Sequence, residues 1–257
     1  MIPKIIHYCW LSNDEYPGLI KKCVATWKDK LPDYEFVLWD TNRFKLEDNV
    51  WVKQAFEAKK YAFAADYIRL YAVYNYGGIY LDTDVEVLKS FNNLLDLPYF
   101  VGSEGGSIIE AGVFGAEKKC EWVGECLKYY EGKSFIKGDG SLDTLTLPRI
   151  MVSQVTKKRE ITELAEPNLE LLKKDYLDDK LIMFPKDFFC AKNHGTGVVE
   201  ITPNTYAIHH FAMSWVPIKN TLLPNFKRKL IKIFGVKKIE IFVSLFKLRE
   251  LKNYFKN

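Results

Sequence analysis

Two aspartates, Asp82 and Asp84, are the residues of this chain whose type and spacing most clearly allow chemistry. They follow a Gly-Gly pair and the apolar residues 79–81, a pattern typical of a short β-strand. Side chains alternate between the two faces of a strand, so both carboxylates would point to one side, roughly 7 Å apart. Such oxygen ligands suit Mg²⁺ or Mn²⁺, and the metal could hold a diphosphate. The first hypothesis is therefore chemistry on an activated, phosphate-bearing donor, and the alternative is a solvated strand end, because an isolated D-x-D is common by chance.

Asp66 and Arg69 form a second candidate group in the stretch before the Gly-Gly pair. At a spacing of three residues they share one face of a helix. An exposed pair of this kind contributes at most about 0.5 kcal/mol. Apolar neighbours over 63–70 instead indicate partial burial, which is costly unless the pair is used. One use is a carboxylate that accepts from sugar hydroxyls beside a planar donor for phosphate.

Histidine and tryptophan side chains supply the remaining candidates. His209 and His210 are adjacent and precede Ser214 and Trp215. Either histidine could be a core residue, but an imidazole could also complete a carboxylate-held Mn²⁺ site. The Trp215 indole N–H could donate to a leaving phosphate oxygen. Trp10, after the first predicted strand, is either a core aromatic or a plate on which a base stacks.

The strands and helices predicted around these residues indicate an α/β fold. Strand-like stretches at 3–10 and 33–40 flank a helix-like stretch at 18–29, which predicts an opening β-α-β unit. Helical spacing continues over 51–76, Gly77 is the expected stop, and a strand is predicted over 79–88. Later predictions are a strand at 98–103, a loop and strand within SEGGSIIEAGVFGAEKK, helices at 117–131 and 146–158, and short strands with loops over 181–216.

Four segments in this order resemble the D-x-D sugar-transferase family: IPKIIHYCW, LPDYEFVLWD, AFAADYIRLYAVYNYGGIYLDTDVEVL and AIHHFAMSW. That family is glycosyltransferase family thirty-two, and its members include bacterial capsular-polysaccharide transferases and the yeast mannosyltransferase that initiates outer chains. The clostridial glucosylating toxins look like distant relatives. The resemblance spans roughly residues 1–103 and 200–217. It implies a GT-A fold, a Rossmann-like mixed sheet flanked by helices, which binds a nucleotide-sugar and a divalent metal and transfers with retention.

The resemblance also implies contacts between the donor and the first half of the chain. Trp10 would stack on the nucleobase, and Tyr80 would lie near the ribose. Asp66 and Arg69 would hold the donor sugar, with Arg69 reaching the phosphate side. Asp82 would contact both ribose and sugar.

Around the metal, the resemblance implies that Asp84 is a direct ligand and that His209 and His210 lie beside the ion. Ser214 and Trp215 would close over the diphosphate.

Glu110 departs from the pattern, because relatives often carry Asn near the reacting sugar at the position that Glu110 is expected to occupy. A carboxylate there could stabilise positive charge on the anomeric carbon or act as a nucleophile.

We therefore expect a retaining, Mn²⁺- or Mg²⁺-dependent hexosyltransferase that uses a nucleotide-sugar, with UDP-hexose favoured. Its acceptor would be a glycan or lipid-linked glycan in surface polysaccharide or capsule synthesis. A glycoside hydrolase is an alternative, since paired carboxylates also serve there. A membrane-bound sugar-binding module without enzymatic activity is another. Nucleotidyl or phosphoryl transfer could share the metal site, but the sequence contains no P-loop motif.

Charge is unevenly distributed along the chain. The whole sequence carries a net charge of +4, but residues 225–257 hold ten Lys/Arg against two Glu. We expect a GT-A domain over 1–223 and a basic amphipathic helical tail over 224–257. Basic and apolar residues alternate there at roughly helical spacing, which favours either packing on the body or attachment to an anionic membrane surface. Nucleic acid is not an expected partner, because no recognised binding module accompanies the charge.

The cysteines and the N-terminal residues bear on location. Five irregularly spaced cysteines argue against a disulfide framework and a zinc site. Residues 1–10 are too polar for a signal peptide, and no apolar run is long enough to span a bilayer. We expect a cytoplasmic protein, either free or attached peripherally to the inner face of the cytoplasmic membrane.

Overall fold

The computed structural model describes residues 1–12, 14–165, 179–212 and 235. The strands are β1 (Ile5–Cys9), β2 (Glu35–Trp39), β3 (Gly78–Leu81), β4 (Val85–Val87), β5 (Tyr99–Gly105), β6 (Ile108–Ala116), β7 (Glu160–Glu163), β8 (Lys180–Met183) and β9 (Ala207–His209). The helices are α1 (Gly18–Lys30), α2 (Val50–Glu57), α3 (Tyr61–Tyr76), α4 (Glu121–Leu127), α5 (Leu147–Val155) and α6 (Lys186–Phe189). Three short 3₁₀ turns occupy Leu46–Asp48, Asn92–Leu94 and Lys128–Tyr130.

A five-stranded sheet in the order β2-β1-β3-β6-β5 forms the centre of the fold. β1 runs parallel to β2 and β3, whereas β6 is antiparallel to both β3 and β5. β4 pairs with β9 in a second sheet, and β7 with β8 in a third. The predicted β-α-β opening and the predicted mixed α/β sheet flanked by helices are confirmed.

Both faces of the central sheet are buried. Tyr80 belongs to one apolar cluster, while its strand neighbours Ile79 and Leu81 belong to the other. This alternation is what a strand covered by packing on both sides requires. β3 therefore lies in the interior, and the loop after it leaves the sheet at the carboxyl ends of the parallel strands, where open α/β sheets bind ligands.

The helical region before β3 differs from the prediction of one helix over 51–76. The chain forms α2 and α3, with a break at residues 58–60 where Lys59 adopts a φ of 56°. Asn49 caps α2 by accepting from the Val52 N–H at 3.0 Å. Periodicity alone could not locate the break, because the apolar spacing continues through both helices.

Two glycines let α3 end directly against β3. Gly77 and Gly78 have φ values of 68° and 103°, which side chains with a Cβ rarely adopt. A Cβ on Gly78 would also lie 2.7 Å from the Ile5 carbonyl oxygen. The predicted stop at Gly77 is confirmed, and β3 can pair closely with β1.

The predicted strand over 79–88 is wrong as one element. It is two strands in different sheets, β3 and β4, and the Asp82–Asp84 segment is the turn between them. The Val85 N–H donates to the Asp82 carbonyl at 3.0 Å, which closes this turn. Both halves are apolar and alternate, so the residue pattern shows no boundary.

The chain divides into two compact units. The larger contains residues 1–191 and 201–212, and the smaller contains 192–200 and 213–257. In the smaller unit, Lys192 and Val199 form a β-bridge, and the Asn193 side chain accepts from the Gly195 and Thr196 N–H groups. The predicted tail over 224–257 lies outside the described residues apart from Gly235, so the 1–223 and 224–257 boundary stays a prediction. No described helix is long and apolar enough to cross a membrane.

Candidate active site

Asp82, Asp84 and His209 converge at the turn after β3. Each offers one ligand atom, and these atoms all lie within 4.8 Å of one another. His209 Nε2 is 3.4 Å from Asp84 Oδ1 and 3.9 Å from Asp82 Oδ2. Two carboxylates and one imidazole form a donor set that suits Mn²⁺, so the residues present fit the metal that the sequence implied.

The pairing of β4 with β9 brings His209 to the aspartates, although it lies far away in sequence. Val85 is opposite His209 in this register. The His210 N–H donates to the Asp84 carbonyl at 3.0 Å, and the Ala212 N–H donates to Asp84 Oδ2 at 2.7 Å. The second sheet therefore fixes the Asp84 side chain as well as the approach of the imidazole.

His210 points elsewhere, contrary to the prediction that both histidines lie by the metal. Its Nε2 lies 2.8 Å from Glu86 Oε2. His209 and His210 are successive residues of extended chain, and such residues project to opposite faces. Of the two predicted histidine ligands, the structure brings only His209 to Asp82 and Asp84.

Arg69 links both acidic candidates beside the turn. Its Nη1 donates to Asp82 Oδ2 at 3.1 Å and to the Ala111 carbonyl at 2.8 Å, and its Nη2 lies 3.2 Å from Asp66 Oδ1. The guanidinium also sits 4.5 Å from the centre of the Tyr80 ring. Arg69 and Asp66 are buried, so the predicted burial of this pair is confirmed. Arg69 therefore supplies a fixed positive charge next to the carboxylates.

Titration within this pair follows from its burial. Burial raises the pKa of Asp66 to about 7. The charge of Arg69 opposes this shift, and the charge of Asp82 adds to it. Burial would lower the pKa of Arg69, but Asp82, Tyr80 and Asp66 hold it well above its ordinary value. Arg69 stays charged, whereas Asp66 can exchange a proton near neutral pH.

Tyr80 was predicted to lie near the ribose, but the structure buries it in the core. It is 1% exposed, so its ring presents no face to a ligand. Its hydroxyl donates to Asp82 Oδ1 at 2.8 Å. Tyr80 and Arg69 thus hold one oxygen each of the Asp82 carboxylate.

Glu110 is also placed differently from its predicted position by the reacting sugar. It lies in β6 with 0% exposure, and its Oε1 is 2.6 Å from the Gly112 nitrogen and 3.0 Å from His209 Nδ1. A fully buried carboxylate beneath a histidine cannot contact a substrate carbon, so its predicted roles at the anomeric carbon do not match this geometry. The register of the hairpin, which the sequence does not reveal, turns the side chain inward.

The histidine and its two carboxylates perturb one another. Burial lowers the pKa of His209, but Glu110 and Asp84 outweigh burial and hold it well above its ordinary value. Burial raises the pKa of Asp84, but the His209 charge and hydrogen bonds from His209 and the Ala212 N–H lower it to about 2. Burial likewise raises the pKa of Glu110, and His209 brings it below its usual range. The imidazole is therefore cationic between two carboxylates when no other cation is bound.

Trp10 lines a cavity of about 350 Å³ at the carboxyl ends of β1 and β2. Its indole N–H donates to the Asp14 carbonyl at 3.0 Å, and its ring packs edge-on against Tyr16 with centroids 4.8 Å apart. Asp40 and Asn42 also line the cavity. Trp10 is partly exposed.

Two further residues at the site were not predicted. Gly112 lies inside β6, where a glycine marks close approach of neighbouring groups, and that signal was available in the sequence. Glu104 in β5 has its pKa raised to about 7 by burial and by Glu110. Glu86 pairs with His210 outside the group formed by Asp82, Asp84 and His209. The predicted contacts Ser214 and Trp215 lie outside the described residues.

Several proteins similar to this chain are named as mannosyltransferases or mannosyl-lipid synthases. The chain is 36% identical over 124 residues to inositol phosphoceramide mannosyltransferase 3 of Schizosaccharomyces pombe, an alignment covering 46% of this chain and 34% of that protein. It is 30% identical over 146 residues to mannosyl phosphorylinositol ceramide synthase CSH1 of Saccharomyces cerevisiae, covering 53% and 38%. The chain thus spans about a third of the length of these curated relatives.

Two solved structures are also similar. PaToxG glycosyltransferase matches with 19% identity and a TM-score of 0.47, over 61% of this chain and 68% of that one. The galactosyltransferase LgtC, solved with donor and acceptor sugar analogues, matches with 14% identity and a TM-score of 0.41, over 90% and 96%. Likeness at this level assigns no function.

The family comparison covers the turn that carries the two aspartates. Residues 17–101 match the family described as "Glycosyltransferase sugar-binding region containing DXD motif". The resemblance to D-x-D sugar transferases that the sequence showed is confirmed. Residues 17–101 are thus similar to glycosyltransferase sugar-binding regions that contain a D-x-D motif, and Asp82 and Asp84 form an Asp-x-Asp sequence inside the matched range.

Proposed function

We propose that this protein is a divalent-metal-dependent glycosyltransferase that moves a hexose from a nucleotide-sugar to a glycan or lipid-linked acceptor, with retention. The observation that carries the proposal is the convergence of Asp82, Asp84 and His209 at a turn within the matched family region. Retention rests on the resemblance alone.

Asp84 and His209 would hold the cation, with Asp82 close enough to contribute a ligand or to contact the donor. A bound Mn²⁺ or Mg²⁺ would supply positive charge to a departing diphosphate. Arg69 adds a permanent positive charge beside Asp82 and keeps that carboxylate oriented. The leaving phosphate oxygen can itself accept the proton of the acceptor hydroxyl, so this reaction needs no separate strong base.

The cavity beside Trp10 would take the nucleobase, since its partly open ring offers a stacking surface at the same edge of the sheet. The sequence favours a UDP-hexose. The names of the relatives make a mannosyl donor such as GDP-mannose the main competitor, and an inositol-phosphate lipid the first acceptor to try beside surface glycans. A role in capsule synthesis rests on the family resemblance.

The site geometry favours transfer over glycoside hydrolysis. Hydrolases place two carboxylates on opposite sides of a glycosidic bond, typically about 5 Å or more apart. Here the two carboxylates converge with an imidazole on one point. A binding module without activity would have no need of this cation-binding donor set.

The decisive experiment incubates the full chain with Mn²⁺ and a panel of UDP- and GDP-sugars, with and without acceptors, and measures release of nucleoside diphosphate. We compare Asp84→Asn with Asp29→Asn, which changes an exposed carboxylate on α1. We expect release by wild type and Asp29→Asn, and loss of it in Asp84→Asn or with EDTA.

Other outcomes separate the alternatives. Cleavage of simple glycosides without nucleotide or metal would identify a hydrolase. Binding of sugar without turnover, unchanged in Asp84→Asn, would identify a binding module. Silence with every donor, in the presence of both acceptor classes, counts against transfer.

We further propose that residues 225–257 attach the protein to the inner face of an anionic membrane, which would suit a lipid-linked acceptor. Ten basic residues interleaved with apolar ones support this. Deleting 225–257 should reduce co-sedimentation with phosphatidylserine vesicles to the background level measured without vesicles. Unchanged sedimentation of the truncated protein would contradict membrane attachment.

A further inference from the structure

Glu110 forms a buried pair with His209, one of the three residues that could hold a cation. Glu110 is 0% exposed, and its Oε1 lies 3.0 Å from His209 Nδ1. The other ring nitrogen, Nε2, faces Asp84 and Asp82. We propose that Glu110 is a positioning residue that orients His209 for the cation, an inference that rests on the proposed metal-dependent function.

The physical reason is the choice between ring orientations. A carboxylate only accepts hydrogen bonds, so Nδ1 must carry a proton and donate it to Glu110. The lone pair available to a cation is then on Nε2, the nitrogen that faces the aspartates. Histidine ligands of metals generally need such a partner on their second nitrogen, and losing it typically weakens metal affinity 10- to 100-fold.

The surrounding backbone is built for this pair. The Gly112 N–H donates to Glu110 Oε1 at 2.6 Å, and the Gly112 carbonyl accepts from the Asp82 N–H at 2.8 Å. A Cβ on Gly112 would lie 2.8 Å from Glu110 Oε1 and from His209 Nδ1. One residue of β6 therefore anchors the carboxylate, leaves room for the imidazole and holds the first aspartate of the motif.

A second carboxylate–histidine pair, Glu86 with His210, provides a matched control for this experiment. Glu86 Oε2 lies 2.8 Å from His210 Nε2, a carboxylate–imidazole contact of nearly the same length. That pair lies outside the triad of Asp82, Asp84 and His209. Glu86→Gln therefore makes the same chemical change as Glu110→Gln without touching the proposed site.

The test measures Mn²⁺ affinity of the full chain by electron paramagnetic resonance, without donor or acceptor, together with the melting temperature. We expect Glu110→Gln to weaken Mn²⁺ binding 10- to 100-fold and Glu86→Gln to change it less than twofold. The decisive comparison is a double-mutant cycle with His209→Gln. If Glu110 acts through His209, Glu110→Gln should have no further effect on affinity once His209 is replaced.

Each result has a consequence. Unchanged Mn²⁺ affinity in a folded Glu110→Gln protein, or an equal loss in the His209→Gln background, would overturn the positioning role. Loss of affinity in Glu86→Gln as well would also overturn it, because the effect would then be general. If the cycle succeeds but no sugar is transferred, the inference stands and the proposed activity fails. If wild type binds no Mn²⁺, both fail.

Discussion

Two partly or fully buried histidines occupy opposite electrostatic surroundings in this protein. His7, in β1, meets neutral groups: its Nε2 donates to the Gly77 carbonyl at 2.8 Å, and its Nδ1 accepts from the Trp39 indole N–H at 3.1 Å. His209, in β9, lies between Glu110 and Asp84. Of these two imidazoles, the one of His7 is therefore surrounded by neutral dipoles and the one of His209 by charged groups.

Titration follows the surroundings. Burial, with a smaller contribution from the charge of Arg43, lowers the pKa of His7 to about 4 despite its hydrogen bond to Gly77. The carboxylates around His209 outweigh burial and raise its pKa. A histidine satisfied by neutral partners stabilises the fold, whereas one held between carboxylates is prepared to exchange its proton for a cation. The contrast teaches that partners, and not burial, distinguish a structural histidine from a functional one.

The largest expected effect comes from removing the functional histidine. His209→Gln keeps an N–H donor for Glu110 but loses the imidazole ligand. We expect transfer to fall roughly 10³-fold, equivalent to about 4 kcal/mol. The melting temperature should fall as well, because Glu110 and Asp84 lose a buried charge partner, so rates are compared at a temperature where both proteins are folded. Steady-state rates at saturating Mn²⁺ measure this. Activity within threefold of wild type would remove His209 from the proposed site.

Replacing the structural histidine, His7, should affect stability and not activity. His7→Phe leaves the Trp39 N–H and the Gly77 carbonyl without their buried partner. We expect the free energy of unfolding to fall by about 3 kcal/mol, because each unmet buried group costs about 1 to 3 kcal/mol. Urea unfolding measures the change, while the specific activity of the folded protein should stay near wild type. A large loss of activity at unchanged stability would show that His7 has a functional role and not a structural one.

The pH dependence of stability sharpens the same contrast. The pKa of His7 is lower in the folded state, so its contribution is present above pH 6.5 and is lost as pH falls through about 4. Between pH 7 and pH 5 we expect wild type to lose about 2 kcal/mol more than His7→Phe. Urea titrations of both proteins at several pH values give this difference. Parallel curves would show that His7 does not titrate as described.

The smallest effect is expected at the adjacent histidine. His210 pairs with Glu86, which is 36% exposed at its side chain, so the contact is screened by solvent. His210→Ala should cost less than about 1 kcal/mol and leave transfer within twofold of wild type. Side-by-side assays with His209→Gln test it. A tenfold loss in His210→Ala would indicate that both histidines serve the cation.

Much of the fold could be predicted because local patterns were unambiguous. The strands predicted at 3–10 and 33–40, the helix predicted at 18–29 and the glycine stop after α3 each match the structure closely. Boundaries failed where one pattern continued across a break. The split between α2 and α3 depends on one residue with a positive φ, and the split between β3 and β4 depends on which sheet each half joins.

The candidate site divides in the same way. Asp82, Asp84, Asp66 and Arg69 could be recognised because their spacing within a short segment limits where they can point. The choice between His209 and His210 could not be made, since it depends on the register of β4 against β9. The position of Glu110 depended on how the β5–β6 hairpin pairs with β3. Long-range pairing sets such contacts, and a single sequence does not encode them in any local pattern.

The sequence by itself determined the mixed α/β class, the D-x-D motif and the resemblance to D-x-D sugar transferases, because these rest on short-range spacing. Only the tertiary structure decided that Asp82 and Asp84 lie in a turn, that His209 joins them and that Glu110 stands behind the imidazole. The physical reason is that a cation site requires oxygen and nitrogen atoms within a few ångströms. Residues far apart in the chain reach that distance only after strands from different sheets have chosen their partners.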